Sequence, residues 1–256
     1  MTDGKRRVAL VTGGGKGIGR AIAGRLLADG FDVVICGRNA PAEPPSHEAR
    51  AAEFEACDVR IADEVQAMID RIIARHGRLN LVVNNAGGSP EADAATASPR
   101  FSERVLALNL LGPLHVAQAA NRIMQSQPEG GSIVNIASVS GVRPSPGTAV
   151  YGAAKAGLLS LTESLAMEWG PKVRVNAVVV GLVATEAALD HYGGEAGMKR
   201  IDAMLPLGRM AGGMDIAGVV SFLASTDAAY VSGAKIAVHG GGERPLFLSL
   251  AQMNGG

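Results

Sequence analysis

The chain has 256 residues, 47% of them hydrophobic and 19% charged, with 24 basic and 24 acidic side chains cancelling to a formal net charge of zero. That balance excludes the basic footprint of a nucleic-acid or acidic-membrane binder, and no apolar run reaches the length of a membrane span. The polar start MTDGKRR has no apolar leader region, so a cytoplasmic protein is expected, with Cys36 and Cys57 as reduced core thiols and no metal cluster among five scattered histidines.

Arg7–Val11 (RVALV) predicts a short buried strand, followed by Thr12-Gly13-Gly14-Gly15-Lys16-Gly17-Ile18-Gly19 and a helix with apolar positions at Ile22, Leu26 and Leu27. A glycine-rich strand-to-helix turn of this kind lets a pyrophosphate approach the backbone and rest on the amides that open the helix. Strands are expected near 7–12, 32–36, 53–57, 79–84, 131–137, 173–180 and 234–238, and helices near 17–29, 62–76, 99–125, 151–169 and 215–224. The alternation predicts an α/β fold, a Rossmann-type doubly wound parallel seven-stranded sheet in one domain over 1–256, with ligands bound beyond the carboxyl ends of the strands.

Two segments depart from simple alternation. Asn39–His47 (NAPAEPPSH) carries three prolines and predicts an irregular loop where a crossover helix would stand. Ala187–Met204, with His191, Tyr192, Gly193, Gly194, Gly197 and Met198, reads as a mobile substrate lid. Leu182, Leu189, Met198, Met204 and Leu205 are expected to form one wall of an apolar substrate pocket, and Val142 with Pro144-Ser145-Pro146 the other.

Tyr151 and Lys155 stand four apart in YGAAK, so a helix from Tyr151 to Trp169 puts ammonium and phenol on one face. A tyrosine ionises near pH ~10, and a neighbouring cation, helped by a bound nicotinamide ring, lowers that value. Such a phenol exchanges a proton with an alcohol or carbonyl near neutral pH. Ser138, thirteen residues earlier, carries a hydroxyl that could hold the same oxygen.

In order, TGxxxGxG at Thr12–Gly19, Asn84-Asn85-Ala86-Gly87, Asn109, Ser138 and YxxxK resemble the short-chain dehydrogenase/reductase family, including its 3-oxoacyl-reductase-like and hydroxysteroid-dehydrogenase-like members. The match runs from Val8 to about Gly242. The resemblance implies a homo-oligomeric enzyme, tetramer or dimer, that moves a hydride between a nicotinamide cofactor and a carbonyl or secondary alcohol of a small or apolar substrate. A 3-oxoacyl thioester, a ketone and a steroid-like alcohol all fit that class. Tyr151 is then the acid or base, Ser138 orients the oxygen, Lys155 tunes the phenol and reaches the ribose, and Asn109 holds a relay water. Thr12, Gly13, Lys16, Gly17, Ile18 and Gly19 are carried over as the phosphate turn, Asp58 and Val59 as the adenine pair, and Asn85, Ala86 and Gly87 as the adenosine side, where Asn84 also holds the central strand. Val183 and Thr185 meet the nicotinamide amide, after a Val180-Gly181 pair where many relatives read proline-glycine.

The second strand ends in Gly37-Arg38-Asn39 with no carboxylate for a ribose diol. Arg38 offers a guanidinium suited to a 2′-phosphate and Lys16 a second cation, which favours NADP over NAD. A non-catalytic dinucleotide-binding regulator or scaffold is the alternative. It is expected to have lost the serine, tyrosine or lysine, and all three are present.

Overall fold

A computed structural model describes residues 6–185, 192–243 and 245. In chain order the first half runs β1 (Val8–Thr12), α1 (Gly17–Ala28), β2 (Asp32–Gly37), β3 (Ser46–His47), β4 (Arg50–Ala51), β5 (Glu53–Ala56), α2 (Ala62–His76) and β6 (Leu81–Asn84). The second half runs α3 (Pro99–Leu106), a π-helical turn (Ala107–Leu111), α4 (Gly112–Ser126), β7 (Gly131–Ser138), α5 (Ala149–Trp169), β8 (Val173–Val180), α6 (Gly194–Met204), α7 (Gly213–Ala224) and β9 (Lys235–Val238).

Every residue of β1 is buried, as a strand must be when helices cover both faces of a parallel sheet. The sheet order is β5-β2-β1-β6-β7-β8-β9, seven strands all parallel, as the sequence predicts. Alternate side chains go to opposite layers. Ala9 and Val11 join Ile22 and Leu26 of α1 and Ile216 and Val220 of α7. Val8 and Leu10 join Met68 and Ile72 of α2, Val116 and Ala120 of α4, and Leu165 of α5. The chain leaves β1 for β2 on one side and returns to β6 on the other, so a crevice opens at β1, where the glycine turn lies.

Three differences from expectation have local causes. The helix expected over 99–125 is broken by the π turn, because Pro113 has no N–H for Asn109 O and its ring crowds that carbonyl. Gly112 N instead reaches back to Ala107 O. The proline-rich stretch forms no helix, as expected, and is followed by the small β3–β4 hairpin. Pro41 lies over Gly15, where an added Cβ would come within 3.3 Å of it, and Arg20 donates to Glu43 O at 2.6 Å. The predicted lid contains α6, and its residues 187–191, including Leu189 and His191, lie outside the described residues.

Candidate functional site

A groove of about 530 Å³ runs beyond the carboxyl ends of β1, β6, β7 and β8, and through Gly13 and Ala86 it continues into a cavity of about 200 Å³ beyond β2 and β5. Together they collect most of the predicted residues. Gly13, Lys16, Gly17, Ile18, Gly19, Asn85, Ala86, Gly87, Ser138, Tyr151, Lys155, Val183 and Thr185 line the first, and Arg38, Asp58 and Val59 the second.

Ser138 is the last residue of β7, and its Oγ accepts from Ser140 N at 3.1 Å, which fixes the hydroxyl at the strand's end. Tyr151 sits in the first turn of α5 and is hydrogen-bonded to Ser138. One turn on, Lys155 is buried; its Nζ donates to Ile136 O at 2.7 Å and lies 5.7 Å from the centre of the Tyr151 ring. Burial draws the lysine pKa down to about 8. Burial also raises the Tyr151 pKa, against an opposing pull from the Ser138 hydrogen bond. The sequence expectation of a lowered phenol is therefore corrected for the protein by itself. The ammonium is beside the ring, engaged by a carbonyl, and desolvation dominates.

The glycine turn is built for close approach. Gly13 has φ 64°, in the left-handed region, and a Cβ on Gly19 would come within 2.3 Å of Gly13 O and 2.4 Å of Asn85 Nδ2. Asn85 Nδ2 donates to Thr12 O at 2.9 Å and Gly13 O at 3.2 Å, locking the turn to the end of β6. Lys16 is exposed at the start of α1. Thr12, expected against cofactor, is instead buried: its Oγ1 accepts from Asn85 N at 3.0 Å and Ala86 N at 2.9 Å. It braces the turn from inside because a side chain in β1 must point into one of the two covered layers.

Asn84 also turns inward, its Nδ2 donating to Asn135 Oδ1 at 2.9 Å and Pro113 O at 3.1 Å, so it holds the sheet and does not line the groove. Asn109 is fully buried in the π turn. Its Oδ1 accepts from Gly88 N at 2.8 Å, and its Nδ2 donates to Gly88 O at 3.0 Å and Val105 O at 2.9 Å. With the amide spent on backbone, a relay water at Asn109 would have to use the main-chain carbonyl that Pro113 leaves without its helical donor. A Cβ on Gly87 would come 2.8 Å from Asn109 Oδ1 and 3.3 Å from Lys155 Nζ, so the three residues stand in one layer.

At the other end Arg38 is exposed. Asp58, the expected adenine acceptor, is occupied: Arg60 Nε donates to its two oxygens at 2.9 and 3.1 Å, Arg60 Nη2 closes a short contact, and Arg60 N adds a bond at 3.1 Å. This pairing, with a smaller pull from Arg38, holds the Asp58 pKa down. Arg60 was not anticipated, although an arginine two residues past an aspartate is a readable pairing signal. Cys36 and Cys57 are free, buried and hydrogen-bonded to one another in the wall of the same cavity.

At the β8 side of the groove, the stretch after the strand is tied down by Ala184 N to Ala211 O at 2.9 Å and Ala211 N to Leu182 O at 3.0 Å. The predicted substrate walls divide. Val142, Leu182 and Leu205 line a further cavity of about 180 Å³, whereas Pro144, Ser145 and Pro146 face a shallow depression against α5. Met198 is half-buried on α6 and Met204 is exposed, and neither lines that cavity. Among the described residues no group of three metal-ligating side chains occurs, and no helix is long and apolar enough to cross a membrane.

Residues 13–243 match the family model described as enoyl-(acyl carrier protein) reductase. The chain is 38% identical to 4-formylbenzenesulfonate dehydrogenase of Comamonas testosteroni, over 92% of this chain and 97% of that one. It is 36% identical to the 3-oxoacyl-[acyl-carrier-protein] reductase FabG of Staphylococcus aureus, over 91% and 96%. The structure of an actinorhodin polyketide ketoreductase variant with NADPH superimposes with a TM-score of 0.84 at 31% identity, covering 92% of this chain and 97% of that one.

Proposed function

Since the chain belongs to the short-chain dehydrogenase/reductase family and is an oxidoreductase acting on CH–OH groups, we propose that it transfers a hydride between NADP and a small or apolar ketone or secondary alcohol, in the direction of carbonyl reduction. The observation that carries this is the Ser138–Tyr151 hydroxyl pair at the end of a dinucleotide-sized groove, with Lys155 buried one turn behind it. The residues fit the cofactor: the Gly13 and Gly19 approach leaves no room for side chains where a pyrophosphate would rest, and Arg38 offers a cation directly after β2, a strand that ends without a carboxylate. NADPH, when bound, supplies the hydride from its nicotinamide ring.

The protein's own part follows from the geometry. Ser138 holds the substrate oxygen by donating to it, and Tyr151 gives that oxygen its proton as negative charge develops there. A phenol whose pKa is raised by burial keeps its proton at neutral pH, which suits it to act as the acid. Lys155 places positive charge below the ring and helps the resulting phenolate. Gly37 and Arg38 line the far cavity, where Arg60 is already paired with Asp58, and the exposed Arg38 guanidinium supports NADP over NAD. We also assign the chain to the cytoplasm and, as its family resemblance implies, to a homo-oligomer, tetramer or dimer.

The test is NADPH oxidation against a panel of ketones and 3-oxoacyl thioesters with wild type and Tyr151→Phe. The variant is expected to bind NADPH normally and lose about a hundred- to ten-thousand-fold in kcat. A variant retaining more than half of wild-type kcat removes Tyr151 from the mechanism.

A further inference from the structure

The sequence contains two cysteines, and the fold brings them together. Cys36 is the penultimate residue of β2, and Cys57 directly follows β5. In the parallel register Cys36 stands opposite Glu55, and Cys57 N donates to Gly37 O at 3.0 Å, which carries the ladder one step past the strand. Side chains alternate along a strand, so Cys57 takes the face that Glu55 takes, which is also that of Cys36. There the two thiols are hydrogen-bonded to one another.

Hydride transfer makes no use of them, yet their place is not remote from it. Both residues line the cavity of about 200 Å³ that also holds Gly13, Arg38 and Asp58. They expose only 2% and 3% of their surface, which keeps bulky reagents away. A peroxide is little larger than a water, whose share of liquid volume is about 30 Å³, so the cavity admits it. The pair is also unequal. The hydrogen bond from Cys36 draws the Cys57 thiol below its ordinary range, with Arg71 helping and burial, Glu64 and Asp58 opposing. That same bond and burial push the Cys36 thiol up, so it keeps its proton. The thiolate is the form that attacks.

We propose that Cys36 and Cys57 form a peroxide-sensitive modification site, a reversible dithiol–disulfide pair whose oxidation weakens the dinucleotide site. The Cys57 sulfur attacks one peroxide oxygen: an S–O bond forms, the O–O bond breaks, and the other oxygen leaves as hydroxide, which takes up the proton that Cys57 has released. The Cys36 sulfur then attacks the sulfenic sulfur: the S–S bond forms, the S–O bond breaks, and the hydroxyl leaves as a second water with the Cys36 proton. Two thiols are oxidised to one disulfide, and one peroxide is reduced to two waters. The effect on the groove follows from Cys36 O, which accepts from Gly13 N at 2.8 Å, so the end of β2 holds the first glycine of the turn. An S–S bond of about 2 Å draws the strand ends closer than a hydrogen bond does and shifts that anchor together with Arg38. This coupling rests on the reading that the groove binds NADP; the formation of the disulfide does not.

The experiment treats the folded, reduced protein with hydrogen peroxide, alkylates the remaining thiols and reads the peptides by mass after digestion without reductant. The expected product is the Cys36 peptide joined to the Cys57 peptide in a protein that still runs as a single chain on a non-reducing gel, and dithiothreitol returns both thiols. NADPH affinity by fluorescence titration is expected to fall about tenfold on oxidation and to recover with dithiothreitol, and Cys57→Ser is expected to show no such fall. Two thiols that stay alkylatable, sulfinic or sulfonic acid in place of the cross-link, or a cross-link between chains overturns the site. A cross-link that leaves NADPH affinity unchanged overturns its control of the groove. A reduced protein that does not bind NADPH overturns the cofactor reading and the coupling with it, whereas the peptide masses still decide the cysteine chemistry. If Cys57→Ser does not fold, recovery with dithiothreitol decides, because that reagent reduces disulfides and leaves methionine sulfoxide to its own reductases.

Discussion

Replacing Lys155 by methionine tests the electrostatics of the site without reference to any substrate. The lysine is buried, with Nζ 2.7 Å from Ile136 O, and burial lowers its pKa from the ordinary 10.5 to about 8. In the unfolded chain the group keeps its ordinary value. Between about pH 8 and 10.5 the unfolded state therefore holds a proton that the folded state has released, and stability rises with pH across that window. Below it both states are protonated and the full penalty is present; above it both are neutral and the penalty is gone. At roughly 1.4 kcal/mol per pH unit the penalty amounts to about 3 kcal/mol. Methionine has similar reach and no charge, so it removes the penalty, and its lost bond to Ile136 shifts stability by a constant. Urea unfolding of cofactor-free wild type and Lys155→Met, from neutral pH to 10.5, isolates this lysine because all other groups titrate in both proteins. The stability of wild type relative to the variant should climb by about 3 kcal/mol through the window. A difference that stays flat would falsify the picture of a desolvated ammonium.

Ser138→Ala should lower kcat by about a hundredfold, with NADPH affinity by fluorescence titration unchanged, because the hydroxyl serves the substrate oxygen; equal loss of cofactor binding would remove it from that role. Arg38→Ala should reduce kcat/KM for NADPH about tenfold or more and spare NADH. Gly37→Asp should act the same way, since a Cβ at Gly37 meets nothing nearer than Asn39 O at 3.8 Å; parallel losses for both cofactors in these variants rule out a 2′-phosphate contact. Gly19→Ala should cost roughly 1–3 kcal/mol in thermal or urea unfolding and weaken NADPH binding, as its methyl would overlap Gly13 O; an unchanged melting curve with normal affinity would mean the turn is not tightly packed.

The sheet was readable because its strands are short apolar runs buried on both faces, such as VALVT in β1 and VRVNAVVV in β8, separated by helix-length polar-apolar periods. The candidate site was readable because fixed spacing on one helix and ordered motifs survive translation into space: Ser138, Tyr151 and Lys155 line one groove. What was not readable depends on which way a side chain points and on contacts distant in sequence. Thr12 and Asn84 carry motif identities, but strand pleat turns them inward. Arg60 claims Asp58 through a pairing that propensity does not register. The helix α6 was hidden by glycines at 193, 194 and 197, and tertiary bonds secure its end, with Asp202 Oδ1 accepting from Met210 N at 2.7 Å.

The π turn at Ala107–Leu111 has a consequence for how this sequence can change. Each residue advances a helix by about 100°, so one residue accommodated in a wider turn re-aims everything downstream by about that angle. Accordingly α3 and the turn pack mainly on α5, whereas α4 packs mainly on α2 and the strands β6 and β7. Loss or gain of a single codon here would swing Val116, Ala120 and Met124 out of the core and Asn109 away from Gly88 together. The loop over residues 39–45 crosses the surface and has no such phase to keep. Length variation should therefore be tolerated in the loop that follows Arg38 and refused beneath Tyr151 and Lys155.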